Sequence, residues 1–148
     1  MEPFDSYPPP DGSRSAHLGS ANCRHEYGLK LQQLTGQTKC AYCGMSLIKP
    51  YEYWLMMTMD HVVPRSAAQG LPEAWTENLH NVVLACVPCN AFCNRYRLDP
   101  DDPDLQPPKT FEEFLRLRDT VFERRKALIL KRHALEREAW GKRRWEAR

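Results

Sequence analysis

Two Cys-x-x-Cys pairs, Cys40-Ala-Tyr-Cys43 and Cys86-Val-Pro-Cys89, place the strongest limit on how this chain folds. They are 42 residues apart, yet together they offer four thiolates, enough for a tetrahedral zinc with no open position. A closed sulfur shell has nowhere to bind water or substrate, so its role is structural. In small metal-dependent domains such binding is worth on the order of 10–16 kcal/mol. That matters here, because 148 residues, 42% of them hydrophobic, support one domain with a modest core. Redox-active Cys-x-x-Cys pairs or buried free thiols are the competing readings, and two matched pairs weigh against both. The first ten residues, MEPFDSYPPP, have neither a basic start nor an apolar run, so no signal peptide is read there. No window reaches the apolar length of a membrane span. The expectation is a cytoplasmic protein with reduced thiols, where six cysteines point to metal before disulfides. Cys93, four residues after Cys89, and Cys23 with His25 are competing ligands and are expected to stay outside the cluster.

The rest of the chain divides around these pairs into an α+β arrangement. Residues 1–22 hold Pro8-Pro9-Pro10 and a Ser/Gly-rich run without apolar periodicity, and read as disordered. The core domain is expected over 23–98. It begins with a short helix from His25 to Leu34, stopped by Gly36. Cys40 to Gly44 reads as a zinc knuckle, with Gly44 relieving the tight turn. Tyr51 to Val63 is aromatic and apolar, its later part a strand that brings Asp60 and His61 to its end before Pro64. Arg65 to His80 reads as a long, functional loop. Val82-Val83-Leu84 is a second short strand, followed by a helix over Pro88–Leu98. Residues 99–109 form an acidic, proline-broken linker. Over 110–148, Thr110-Phe-Glu-Glu113 is a capping box opening a long helix. Phe111, Phe114, Leu117, Val121, Leu128 and Leu135 keep helical spacing along it.

One group of residues matches the needs of phosphodiester hydrolysis. Water must be deprotonated, and charge on the phosphate and leaving oxygen must be neutralised. A neutral imidazole such as His61 can act as the base, and Mg²⁺ or Mn²⁺ as the electrophile. Asp60 and Asn90 would supply hard oxygens to that ion and leave room for water and phosphate. Neighbouring residues on a regular strand face opposite ways, but at a strand end twist lets Asp60 and His61 flank one phosphate. Asn81, entering the second strand, is placed to fix the His61 ring by a hydrogen bond. His80 is an alternative base, though a loop histidine is more often solvated.

In order along the chain these are Cys40/Cys43, Asp60-His61-Val-Val-Pro64, Asn81-Val-Val-Leu-Ala-Cys86 and Cys86-Val-Pro-Cys89-Asn90. Over about residues 38–97 this resembles the HNH endonucleases, the ββα-metal (His-Me finger) nucleases. The resemblance implies a ββα-metal core with His61 as general base. It also implies Asp60 and Asn90 on a divalent ion, Asn81 in support, and products with 5′-phosphate and 3′-hydroxyl ends. Two positions depart from the family pattern. Cys93 stands where a lysine is frequent, leaving the phosphate contact to Arg95 or Arg97, and Gln69-Gly70 stands where a double glycine is frequent.

Charge points to a polyanion-facing tail, for which nucleic acid and an acidic protein both qualify, and the resemblance implies DNA. Residues 1–108 carry 8 basic and 12 acidic side chains, a balance of −4, whereas residues 109–148 carry 13 and 7, a balance of +6. Lys131, Arg132, Lys142, Arg143 and Arg144 are placed to meet a duplex backbone, a contact that salt weakens steeply. Lys49 and Arg65 lie near the proposed site as phosphate contacts. The first part of the long helix is expected to pack on its own domain, and its apolar stripe also allows a second copy to pair as a homodimer. Tyr51, Tyr53 and Trp54 are expected as core or sheet cover before base-stacking groups. No separate sequence-reading domain is visible, so cleavage is either of low specificity or directed by a partner. The alternative to a nuclease is a zinc-stabilised nucleic-acid-binding module without catalysis.

Overall fold

A computed structural model of the chain describes residues 4, 9–19 and 24–143. It shows a mixed α and β domain built on a two-stranded antiparallel sheet and a long C-terminal helix. In chain order, α1 is Arg14–Leu18 and α2 is Leu29–Thr35, entered through a π-type turn at Arg24–Gly28. α3 is Tyr51–Leu55, β1 is Met57–His61 and α4 is Glu73–Thr76. β2 is Val82–Cys86, α5 is Val87–Phe92 and α6 is Phe111–Gly141.

The sheet register decides where the chemistry sits. Met57 pairs with Cys86 at one end and His61 with Val82 at the other, roughly 14 Å away along the strands. The cysteines therefore gather at one end of the hairpin and Asp60 and His61 at the opposite end. α5 leaves β2 directly at Cys86 and folds back over both strands, which returns Asn90 towards the His61 end. Every residue of β2 is buried, as its apolar sequence demands.

α6 is the spine of the fold. Thr110 caps it by accepting from the Glu113 amide, while the Glu113 carboxylate accepts from the Lys109 amide. Its first turns bury Phe114, Leu117 and Val121 against Val63, Ala68 and Leu105, the second of two core clusters. Further along, Phe122 and Ile129 enter the main cluster with Leu31, Tyr42, Leu47 and the sheet. The expected stripe thus holds to Val121 and then changes phase. Leu128 and Leu135 are exposed, and Arg118, Phe122, Arg125 and Ile129 face inward instead. Gly28 shows how closely these layers meet, because a Cβ there would lie 2.5 Å from the Met57 methyl carbon.

Several expectations are corrected by contacts that carry no local sequence signature. Residues 9–19 are not a loose tail: Ser13 bridges to Asn78, Leu79 N–H donates to Gly12, and Leu18 is fully buried. Phe4 packs edge-on against Phe122 with the Arg118 guanidinium over its ring. The acidic linker is folded onto α6, with Leu105 buried and Arg124 paired to Asp102 and Asp104. The helix after Cys86 ends at Phe92, because Cys93 leaves helical backbone angles, so Arg95 and Arg97 lie beyond it. Of the three aromatics expected as core or sheet cover, Trp54 is half-buried against the main cluster, while Tyr51 and Tyr53 are exposed. Among the described residues no helix is long and apolar enough to cross a membrane.

Candidate functional site

The four cysteines converge as their spacing predicted. Each offers a sulfur within 4.8 Å of the others, and Cys43 and Cys86 stand 3.8 Å apart. Zn–S bonds of about 2.3 Å place tetrahedral sulfurs about 3.8 Å apart, so the donor set fits zinc. The knuckle is tied by Cys40 N–H to Met45 O and Gly44 N–H to Cys40 O, with Gly44 at φ 74°. Ala41 N–H donates to Leu84 O and docks the knuckle on β2. Gln37, which sequence reasoning missed, extends this pairing, since its buried amide accepts from Leu84 N–H and donates to the carbonyls of Leu84 and Lys39. The sulfurs compete for protons. Cys43 is pulled down, chiefly by Cys40, while Cys86 and Cys89 are pushed up, again chiefly by Cys40. All four can ionise together only if a cation shares their charge. Cys93 is buried but outside the cluster, as expected. Cys23, Arg144 and the His25 side chain lie outside the described residues. A further contact comes from α6, where His133 Nε2 lies 3.1 Å from Cys89 Sγ.

At the other end of the hairpin, a cavity of about 460 Å³ is bordered by Asp60, His61 and Arg65, by Asn90 and Asn94, and by Arg14. The strand end, α5 and the N-terminal segment thus meet at one opening. Burial holds the His61 imidazole below its ordinary pKa, with Arg65 acting the same way and the Glu77 and Asp60 carboxylates opposing it. The ring is therefore neutral at neutral pH, as a base must be. Its Nε2 lies 3.3 Å from Glu77 Oε1, an ion pair only when the ring is protonated and not aligned as a hydrogen bond.

Asp60 is the most constrained member. Its Oδ2 accepts from the Tyr42 hydroxyl at 2.5 Å and from Arg125 Nη1 at 2.9 Å, and its Oδ1 from Arg125 Nη2 at 3.2 Å. Arg125 Nη1 also donates to the His61 and Val62 carbonyls. A carboxylate offers about four acceptor positions, so about one remains for anything in the cavity. Tyr42 stays protonated, its pKa raised by burial and then by the Asp60 charge. Burial opposes the Arg125 charge, but the surrounding Tyr42 and Asp60 oxygens outweigh it and its pKa is raised.

Asn81 corrects a second expectation. Its side chain does not reach the His61 ring; Oδ1 accepts from Val63 N–H, and Nδ2 donates to the Val63 and Thr76 carbonyls. It is wholly buried and clamps both ends of the loop between the strands, fixing the backbone that follows His61. His80 is held by Asp11 at 2.9 Å and does not border the cavity. Lys49, Arg95 and Arg97 are exposed and border none of it, and Lys131 lies exposed on α6. Arg132 and Lys142 pair with Glu136 and Glu138 one turn away, and Arg143 lies over the Trp140 ring.

Besides Gln37, the charged residues that sequence reasoning missed are Arg125, Glu77 and Arg14. Only the first left a trace. Stepping Phe114 and Val121 onward by four lands on Arg118 and Arg125, charges on what is otherwise an apolar stripe. No protein-family profile matches the chain, and no curated protein or solved structure is significantly similar to it.

Proposed function

We propose that the chain is a metal-dependent endonuclease of the HNH type that hydrolyses DNA phosphodiester bonds, with the four cysteines holding a structural zinc. What carries the reading is the meeting of Asp60, His61 and Asn90, from two elements, around one polar cavity with a neutral imidazole. In this reading His61 takes the proton from the attacking water. Asn90 and the remaining acceptor position of Asp60 suit an ion such as Mg²⁺ that keeps most of its waters. That ion, when bound, supplies the positive charge that stabilises the phosphate and the leaving oxygen. Asn81 and Arg125 act on backbone and carboxylate, and are positioning residues. Arg65 and the basic end of α6 would contact phosphates, and the exposed Leu128, Leu135 and Trp140 leave a surface for a second copy.

A second reading is favoured by one observation. The bonds from Arg125 and Tyr42 give Asp60 a full structural role, as a zinc-stabilised binding module without catalysis would require. Supercoiled plasmid incubated with the protein in Mg²⁺, Mn²⁺ or EDTA separates the two. Nicking should require the divalent ion, and His61→Ala should lower the rate by roughly 10²–10⁴ with zinc content unchanged. Binding without cleavage in every ion, or full activity in His61→Ala, rules out the nuclease as assigned.

A further inference from the structure

The cavity at His61 is not isolated. A second one, of about 340 Å³, shares Arg14 and Arg65 with it and is also bordered by Ser13, Glu73 and Glu77. On the ridge between them one carboxylate gathers three nitrogens. Glu77 Oε1 lies 2.8 Å from Arg65 Nε and 3.3 Å from His61 Nε2, and Oε2 lies 3.2 Å from Arg14 Nε. This arrangement is built into the fold. Arg14 N–H donates to Glu77 O, Leu79 N–H donates to Gly12 O, and Ser13 bridges to Asn78, so backbone pairing delivers Arg14 to the site. Gly12 turns into this pairing at φ 121°, a conformation that favours glycine.

We propose that Arg14 and Arg65 form a second phosphate seat beside the catalytic pocket, and that the Glu77 carboxylate fills this seat when no nucleic acid is bound. The proposal rests on the nuclease reading for its ligand, a DNA backbone. Two guanidinium groups converging on one anion match a phosphodiester, which carries the same single charge as a carboxylate and has oxygens to reach both. Both arginines remain accessible, at 24% exposure for Arg14 and 67% for Arg65. Exchanging Glu77 for a phosphate keeps the charge around the arginines constant, and it releases the carboxylate from beside His61. The track from His61 across Arg14 to Ser13 would then carry the phosphate next to the one being cut. Glu73 also borders the second cavity and acts electrostatically on Arg65, which limits how strongly the seat attracts anions at rest.

The test is duplex binding by the zinc-loaded full chain in buffer without Mg²⁺, Mn²⁺ or chelator, which withholds cleavage but leaves the structural zinc in place, read by anisotropy of a short fluorescein-labelled duplex across a salt series. Glu77→Gln should tighten binding several-fold more than Glu52→Gln, which makes the same charge change on exposed α3. Arg14→Gln should weaken binding by roughly eightfold near 0.1 M salt and make the salt slope shallower by about one, whereas Arg14→Lys should keep the slope. Zinc content and melting temperature confirm that each variant is folded. Weaker binding in Glu77→Gln, a gain no larger than that of Glu52→Gln, or an unchanged slope in Arg14→Gln overturns the seat. Because no cleavage is read, a seat that behaves as described on a protein that never nicks plasmid would refute the nuclease and leave the seat standing.

Discussion

Replacing Arg125 with methionine tests the physical core of this site. The substitution keeps much of the side-chain volume but removes the guanidinium that spans the Asp60 carboxylate and the His61 and Val62 carbonyls. Asp60 is 5% exposed and Arg125 fully buried, so water can replace little of what is lost. Removing one partner of a buried ion pair typically costs about 3–5 kcal/mol, because the other charge is left without compensation. For a domain whose whole stability is about 5–15 kcal/mol, that is a large fraction. With a urea slope near ~2 kcal/mol/M, the unfolding midpoint should fall by roughly 2 M. The assay is urea unfolding with zinc in fixed excess, so that metal linkage is equal across variants. Asp60→Asn alone should also destabilise, by stranding the guanidinium. The double variant should cost less than the sum of the singles by about 2 kcal/mol, since two neutral groups can coexist where one bare charge cannot. An Arg125→Met loss below about 1 kcal/mol, or strict additivity in the double variant, would show that the pair is not the buried constraint described here.

Cys89→Ser should abolish stoichiometric zinc and melt the sheet and α5 together, read by metal analysis and far-ultraviolet circular dichroism on one sample. Thr110→Ala removes the cap of α6 and should lower stability by about 0.5–2 kcal/mol in a thermal melt, with zinc content unaffected. Acid should weaken the Glu77 cluster. Burial opposes the Glu77 charge, but Arg65, His61 and Arg14 together hold its carboxyl at about 2, below its ordinary value. A group depressed on folding stabilises above its unfolded pKa and loses that contribution as pH falls towards the folded one. The melting temperature should therefore drop between about pH 5 and 2, and a Glu77→Gln protein should start lower and vary less across that window.

The parts of the molecule legible in the sequence are those written in short-range chemistry. Cys-x-x-Cys spacing fixes the sulfur cluster, an apolar β2 announces its burial, and Thr110 with Glu113 marks where α6 begins. His61 and Asp60 were legible as a strand-end pair for the same reason. The rest depends on partners far away in sequence. Arg125 looks like one more cation in a basic helix until Asp60, 65 residues earlier, is placed beneath it. Asn81 has the right type to orient a ring, but the geometry of the loop hands its amide to Val63 and Thr76. The N-terminal residues lack periodicity because they attach by an isolated bridge and a few anchors such as Leu18, which leave no repeating pattern.

α6 touches the His80 carbonyl through Arg118, the Asp60 carboxylate beneath the cavity through Arg125 and a sulfur of the cysteine cluster through His133, a span of roughly 22 Å on one rod. Such a keel forbids independent movement of the two ends of the hairpin. A chain cut at the acidic segment before Thr110 would not be a smaller working protein but one missing its floor. At this end of the chain a tag or fused domain belongs past His133, where the remaining turns of α6 are exposed.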